Sequence, residues 1–324
     1  LSIGKFDGVH LGHRKLIASV CDLAAHLGAR PAVLVLHPDP ASVLADRRVQ
    51  VLDAPSDRLT RIRRLGPEIV RELRFDTDLA RLPPGAFLDR LEISYQLRGL
   101  VVGPDFRFGR DRAGDVAYLK EEAPQRGLRV RVVSPVHLGG QRVSSGRIRD
   151  SVSRGAMREA AEMMTRPHAI RGTVVHGAKR GRTLGYPTAN IEPDLDYVLP
   201  ADGVYAGRIR WSGPSGEPRV FDTALSVGIR PTFDAGRRSV EAFVLGFAGD
   251  LYGRSVTLEI HERIRGEIQF EDVDGLLDAM AQDIRTTRRI MSEPIDRTTF
   301  PAPEEPAGHK APATTDRPSD IPGS

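Results

Sequence analysis

The periodicity of this chain changes at Pro167, and no other feature of the sequence constrains the fold as strongly. Before Pro167, short apolar runs alternate with helical patterns. Residues 1–3, 32–36 and 99–102 are apolar and bounded by Gly, Pro or polar residues, which predicts strands. Residues 13–27, 56–65 and 84–97 carry helical spacing, and Pro83-Pro84 marks the start of the last. Such alternation gives a parallel sheet with crossover helices, a doubly wound α/β domain. Residues 151–165 predict one further helix that bridges to the second half of the chain. After Pro167, residues 169–176, 203–210, 221–227, 239–247 and 255–262 read as strands separated by Gly, Pro, Ser and Asp turns. No helical pattern lies between them, so an antiparallel barrel is expected, closed by a long helix over 272–291. The expected units are therefore domains at 1–165 and 166–291, two cores in a chain of 324 residues. A Pro-rich tail at 292–324 has little apolar periodicity and is expected to be disordered.

A net charge of +4 and a pI near 9.4 raise the question of nucleic acid. The 47 basic residues are overwhelmingly Arg and are scattered among 43 acidic ones. From Arg61 to Phe75, basic, acidic and apolar positions interleave. A nucleic-acid footprint is a clustered stripe, so none is expected. No apolar run approaches the roughly 20 residues of a membrane span, and no signal-peptide pattern is present. Cys21 is the single cysteine, which excludes an intrachain disulfide and fits a reducing cytoplasm. The chain opens on an apolar strand without an initiator Met, as a piece lacking its first residues would. Composition leaves a homo-oligomer neither required nor excluded.

Gly4-Lys5-Phe6-Asp7-Gly8-Val9-His10-Leu11-Gly12-His13 follows an apolar strand and opens a helix. An α/β sheet places its ligand at such a junction. Gly4, Gly8 and Gly12 permit close backbone approach, and the amides at a helix start favour an anion. His10 and His13, three apart, can face one side and stabilise charge developing on an α-phosphoryl group as pyrophosphate departs. The plainer alternative is a glycine-rich turn with two surface histidines. Further on, Ser144, Ser145 and Arg149 place hydroxyls and a guanidinium at a strand–helix junction. That suits a triphosphate, and Arg147 lies nearby; Ser144-Ser145 reads equally as a helix N-cap.

The second rich segment runs from Gly172 to Ile191. A strand ends in a loop with Gly177, Gly181 and Gly185, and Lys179, Arg180 and Arg182 supply positive charge. It is no Walker A loop, since GxxxxGK[ST] is absent from the chain. Such a loop can fold over phosphates. Thr188 and Asn190, two apart, point the same way on an extended strand and offer the hard neutral oxygens that Mg²⁺ accepts. Turn chemistry alone would also produce the pattern.

Taken together, these segments resemble the bifunctional riboflavin kinase/FAD synthetase family. The first is similar to its HxGH nucleotidyltransferase signature. Val101-Val102-Gly103-Pro104-Asp105-Phe106-Arg107-Phe108-Gly109 resembles its flavin- and adenine-side loop, and Val143-Ser144-Ser145-Gly146-Arg147-Ile148-Arg149 its phosphate-gripping SSTxIR loop. The Gly172–Ile191 run resembles the kinase signature GxVxxGxxxGRxLGxPTAN. Gly203-Val204-Tyr205-Ala206, Ser226-Val227-Gly228-Ile229-Arg230-Pro231-Thr232-Phe233, Val240-Glu241 and Leu251-Tyr252-Gly253 resemble later kinase motifs. The resemblance implies a six-stranded kinase barrel and two Mg·ATP reactions, riboflavin to FMN and FMN to FAD. It implies nucleotide contacts for Gly4, Phe6, Asp7, Gly8, Gly12, Ser144, Ser145, Arg149, Gly177, Lys179, Gly181 and Arg182. Asp105, Phe106, Arg107, Tyr186 and Arg265 would meet flavin, Thr188 and Asn190 would hold magnesium, and Glu241 would be the kinase base beside the catalytic His10 and His13.

Four residues depart from the family pattern: Asp39 for a His, Gly146 for Thr, Arg230 for Asn and Gly246 for Asp. The charge of Asp39 is expected to repel phosphate, and an extended strand would put His37 on the same face as a substitute. These departures leave open a kinase whose transferase half is degenerate, or a flavin-binding regulator without catalysis.

Overall fold

The computed structural model describes residues 1–45, 48–177, 185–229 and 238–293. In the first half, β1 (Ser2–Gly4), β2 (Ala32–His37) and β3 (Ile69–Arg74) form a parallel sheet in the order β1-β2-β3. β4 (Gly99–Val102) pairs in parallel with β5 (Arg129–Val132). Val101 N–H donates to the Leu1 carbonyl at 2.9 Å, which sets β4 against the free side of β1. The order is therefore β3-β2-β1-β4-β5, and the direction of winding reverses between β1 and β4. A ligand crevice opens at such a switch point, outside the carboxyl ends of the strands. The loops after β1 and β4 meet there.

Helices α1 (Leu11–His26), α3 (Pro55–Arg63), α5 (Pro84–Tyr95) and α6 (Val116–Gln125) connect these strands, with short turns α2 (Pro40–Leu44) and α4 (Thr77–Arg81). Ile17, Val20, Leu23 and Ala24 form the buried stripe of α1. A small hairpin, β6 (His137–Leu138) and β7 (Gln141–Arg142), precedes α7 (Ser145–Ser153) and α8 (Met157–Met164). The single bridging helix expected over 151–165 is thus two. Gly155 has φ +77, and a Cβ there would stand 2.8 Å from Tyr205 Oη, so the chain turns between them.

The second half is a closed antiparallel barrel of β8 (His168–Val175), β9 (Ala189–Pro193), β10 (Gly203–Ser212), β11 (Pro218–Ile229), β12 (Arg238–Val244) and β13 (Ser255–Arg265), in the order β10-β11-β12-β9-β8-β13. Alternate residues of β10, among them Tyr205 and Ile209, point into its core. α9 (Val273–Ser292), capped by Asp272, closes one side. The expected barrel and closing helix are present. The two halves share one apolar cluster: Leu52, Val143, Ile148, Met157 and Met163 pack with Ile170, Tyr197, Tyr205 and Leu258.

Candidate active sites

The loop between β1 and α1 is held in an uncommon conformation. Phe6 (φ 50°) and Val9 (φ 41°) are left-handed although neither is glycine, and Gly8 has φ 83°. Such backbone persists only where surrounding contacts over-determine it. Those contacts are on every side. Asp7 is buried and accepts from the amides of Leu52 and Asp53, from Arg58 Nη2 at 2.6 Å and from Arg149. Arg58 Nη1 donates to the Lys5 carbonyl at 3.0 Å, and Ser145 Oγ to the Asp7 carbonyl at 2.8 Å. That last bond brings α7 against the histidine loop across 138 residues of sequence.

His10 caps α1: its Nδ1 accepts from the amides of Gly12 and His13 at 3.1 and 3.3 Å. Nε2 must therefore carry the proton of the neutral ring, leaving a donor for an anion. The rings of His10 and His13 stack at 3.6 Å between centroids. Burial, helped by nearby Arg142, pushes His10 down to about 4. Burial, then His10 and Arg58, hold His13 well below the ordinary imidazole range. Both rings are neutral at pH 7. They can orient and hydrogen-bond a phosphoryl group, but they bring it no full positive charge.

Of the other N-terminal candidates, Ser144 is the N-cap of α7, accepting from Arg147 N–H, so the plainer reading of that residue holds structurally. Arg147 is engaged with Glu159 at 2.8 Å and with the Leu138 and Gln141 carbonyls. Asp7 and Arg149 pair with each other. Asp105 is exposed and paired with Arg142, which links the loop after β4 to the β6–β7 hairpin. Arg107 pairs with Asp115 at 2.5 Å, and Phe106 stacks on Phe108 at 5.5 Å.

The expectation that His37 shares a strand face with Asp39 is corrected. The strand ends at His37, and Asp39 is the N-cap of α2, so the two residues do not share a strand face. Lys5 of the histidine loop sits 3.2 Å from the Asp39 carboxylate and offsets its charge. Gly246 has φ +72° with open space around it, a turn conformation that glycine favours.

In the barrel, Asn190 on β9 and Glu241 on β12 are direct cross-strand partners. Thr188 Oγ1 donates to Glu241 Oε2 at 3.1 Å. Asn190 Oδ1 is buried and, among the described residues, has no hydrogen-bond partner. The backbone of Gly177 lies so near that a Cβ there would run into the Asn190 side-chain amide and displace it. Beside this group is a cavity of about 590 Å³ lined by Tyr186, Thr188, Glu241, Phe243, Phe270 and Met280, with Arg265 at its wall. Arg265 binds Asp283 through Nη2 at 2.8 Å and lies 5.7 Å from the Phe270 ring. Tyr186 meets Phe243 edge-on at 5.5 Å. The structure thus gathers Tyr186, Thr188, Asn190, Glu241 and Arg265, from opposite ends of the domain, at one barrel mouth. Lys179, Gly181, Arg182 and Arg230 lie outside the described residues. Among the described residues, no cluster of three or more His, Cys, Asp or Glu could hold a metal.

Sequence reasoning missed Arg58, Asp53 and Arg166. Their signal is burial of charge, which becomes visible only once the chain is folded.

A family model for riboflavin kinase matches residues 164–291, and one for FAD synthetase matches residues 1–147. A protein of Listeria monocytogenes named bifunctional riboflavin kinase/FMN adenylyltransferase is 33% identical over 299 residues, 90% of this chain and 92% of that protein. The protein of the same name from Escherichia coli K12 is 33% identical over 292 residues, 90% of this chain and 92% of its own length. A crystal structure described as a macrolide-efflux protein from Streptococcus pneumoniae superposes with a TM-score of 0.79 at 30% identity, covering 89% of this chain and 93% of that one. Among the described residues of this chain, no helix is long and apolar enough to cross a membrane.

Proposed function

The chain belongs to the family of bifunctional riboflavin kinases/FMN adenylyltransferases, and on that premise we propose how its residues divide the two reactions. The barrel converts riboflavin and ATP to FMN and ADP. The α/β half converts FMN and ATP to FAD and diphosphate. The observation that carries this reading is the meeting of Glu241, Thr188 and Asn190 beside a cavity with aromatic walls, in the half matched by the kinase.

In the barrel, the flavin ring lies between Tyr186, Phe270 and the apolar wall, and Arg265 fixes the wall through Asp283. Glu241 takes the proton of the ribityl 5′-hydroxyl as that oxygen bonds to the γ-phosphorus. The bond from the γ-phosphorus to the bridging oxygen breaks and ADP leaves. Positioning and electrostatics supply most of the rate, as is general for phosphoryl transfer. Thr188 Oγ1 and Asn190 Oδ1 are hard oxygen donors, and Asn190 Oδ1, buried without a hydrogen-bond partner among the described residues, fits a cation ligand. They would hold magnesium, which when bound neutralises charge on the phosphates.

In the α/β half, the FMN phosphate attacks the α-phosphorus of ATP and diphosphate departs without a covalent enzyme intermediate. His10, with Nε2–H as donor, and His13 stabilise the charge that develops. The amides at the start of α1 add to this. Asp105, Phe106 and Arg107, on the loop after β4, border the crevice on the flavin side. A Cβ at Gly4 or Gly12 would crowd the Phe6 or His10 ring, so glycine at these positions keeps the loop closely packed around the histidines. Lys5, 3.2 Å from the Asp39 carboxylate, offsets part of its charge and supports an active transferase half. The single cysteine fits a cytoplasmic setting.

Chromatography of the flavins formed from riboflavin and Mg·ATP tests the assignment of both reactions. FMN that rises first and then declines as FAD accumulates is expected. FMN alone would remove adenylyl transfer from this chain, and no product with riboflavin still bound would leave a flavin-binding protein.

A further inference from the structure

We propose that Arg166, in the segment leading into the barrel, is a positioning residue for adenylyl transfer: it holds the carbonyl of Gly8 and so completes the histidine loop from the other half of the molecule. Arg166 lies beyond the FAD synthetase match at 1–147 and inside the riboflavin kinase match at 164–291. Its Nη2 nevertheless donates to Gly8 O at 3.2 Å and to Asp53 Oδ1 at 2.5 Å. Nη1 is occupied by Pro167 O at 3.0 Å, so the guanidinium plane is fixed at its other edge as well.

Gly8 is the left-handed glycine between the two left-handed non-glycine residues, Phe6 and Val9, and it stands two residues before His10. A carbonyl oriented there sets where the His10 cap begins. The other anchors of the loop grip its Asp7 and Lys5; among the described residues, Arg166 is the side chain that holds Gly8. Asp53, the residue that steers Arg166, is itself buried and also meets Arg61 at 3.5 Å. The segment carrying Asp53 is stitched to the barrel: Val51 N–H donates to Asp196 O at 2.9 Å and Val198 N–H to Val51 O at 3.1 Å. The amides of Leu52 and Asp53 that bind Asp7 come from this same segment. Two supports of the histidine loop therefore depend on the seam between the halves. Arg166 itself does not line the kinase cavity.

This inference rests on the assignment of adenylyl transfer to the histidine loop, so the full-length His13→Asn variant is assayed beside the others. The test uses full-length Arg166→Met and Arg166→Lys, each measured for FMN formed from riboflavin and for FAD formed from supplied FMN. Lys keeps the charge facing Asp53 but lacks the fork that reaches Asp53 and Gly8 together. Displacement of reacting groups by an ångström can cost as much as about 100-fold in rate. The expected result is a fall in kcat for FAD formation of about 10-fold or more in Arg166→Met. Arg166→Lys should fall several-fold, with KM for ATP little changed and FMN formation retained in both. FAD formation unchanged in Arg166→Met would overturn the proposal. So would equal loss of both activities in both variants, which would make Arg166 a general structural residue. Full FAD formation by His13→Asn would instead remove the underlying site assignment.

Discussion

Glu241 stands directly across the β9–β12 ladder from Asn190 and accepts a 3.1 Å hydrogen bond from Thr188 Oγ1. The carboxylate that takes a proton and the oxygens suited to a cation are thus fixed by one pair of strands. Thr188→Val preserves shape while removing the hydroxyl. Riboflavin phosphorylation should fall about 100-fold, the lower range for loss of one positioned electrostatic group, with a raised requirement for Mg²⁺. FAD formation from supplied FMN should be unaffected. Steady-state rates across a magnesium titration check both statements, and an unchanged magnesium dependence would count against Thr188 as a ligand.

Asp7 tests the clamp on the histidine loop. It is buried between Arg58 and Arg149, and Asp7→Asn would leave both guanidinium groups under-compensated. Removing one member of a buried ion pair costs about 3–5 kcal/mol. A lower denaturation midpoint is expected, together with loss of FAD formation. A midpoint equal to that of the parent protein would show that the network contributes little.

Acid should act through neutral histidines. His10 and His168 are pushed down to about 4, mainly by burial, and burial holds His13 well below its ordinary range too. In the unfolded chain they titrate near 6.5. Between those values the unfolded state binds more protons, so their contribution is complete above pH 6.5 and declines as pH falls towards 4. Ring resonances followed by NMR should show no titration of His10 or His13 near 6.5. A midpoint there for either ring would contradict the neutral pair.

Gly146 lies in the first turn of α7, exposed, and a Cβ on it would meet only Ser144 Oγ at 3.8 Å. Gly146→Ala should stabilise by about 0.5 kcal/mol and leave catalysis unchanged. Gly146→Thr adds a hydroxyl at the crevice and should raise kcat/KM for FAD formation several-fold. Equal rates for the Ala and Thr variants would show that the hydroxyl has no catalytic role here.

What the sequence disclosed was local. The Gly4–His13 loop, the run ending at Asn190 and the change of period at Pro167 each lie within a short stretch, where residue type and spacing carry the signal. β3 and β5 escaped notice because they are edge strands. Arg71, Glu72, Arg129 and Arg131 sit in them, since an edge requires only part of its surface to be buried. β9 was legible only from the two-residue spacing of Thr188 and Asn190, since the strand is too short to show an apolar pattern. The break between α7 and α8 was masked by continuous helical spacing, although Gly155 marks it. The ion-pair network was illegible for a different reason: Asp7 meets Arg58 and Arg149 across 51 and 142 residues, and Asp53 meets Arg166 across 113. No window along the chain contains such pairs. That is why the Asp7–Arg149 ion pair could not be read from the sequence.

The central claim is that two separate sites in one chain carry successive reactions, with Glu241 the base of the first. Full-length Glu241→Gln, supplied in parallel with riboflavin or with FMN and Mg·ATP in both cases, tests it most directly. FMN formation should fall roughly 100-fold or more, the scale of a lost general base, while FAD formation from FMN continues at the parent rate. FMN formation at the parent rate would contradict the role of Glu241, and parallel loss of both products would contradict the separation of the sites.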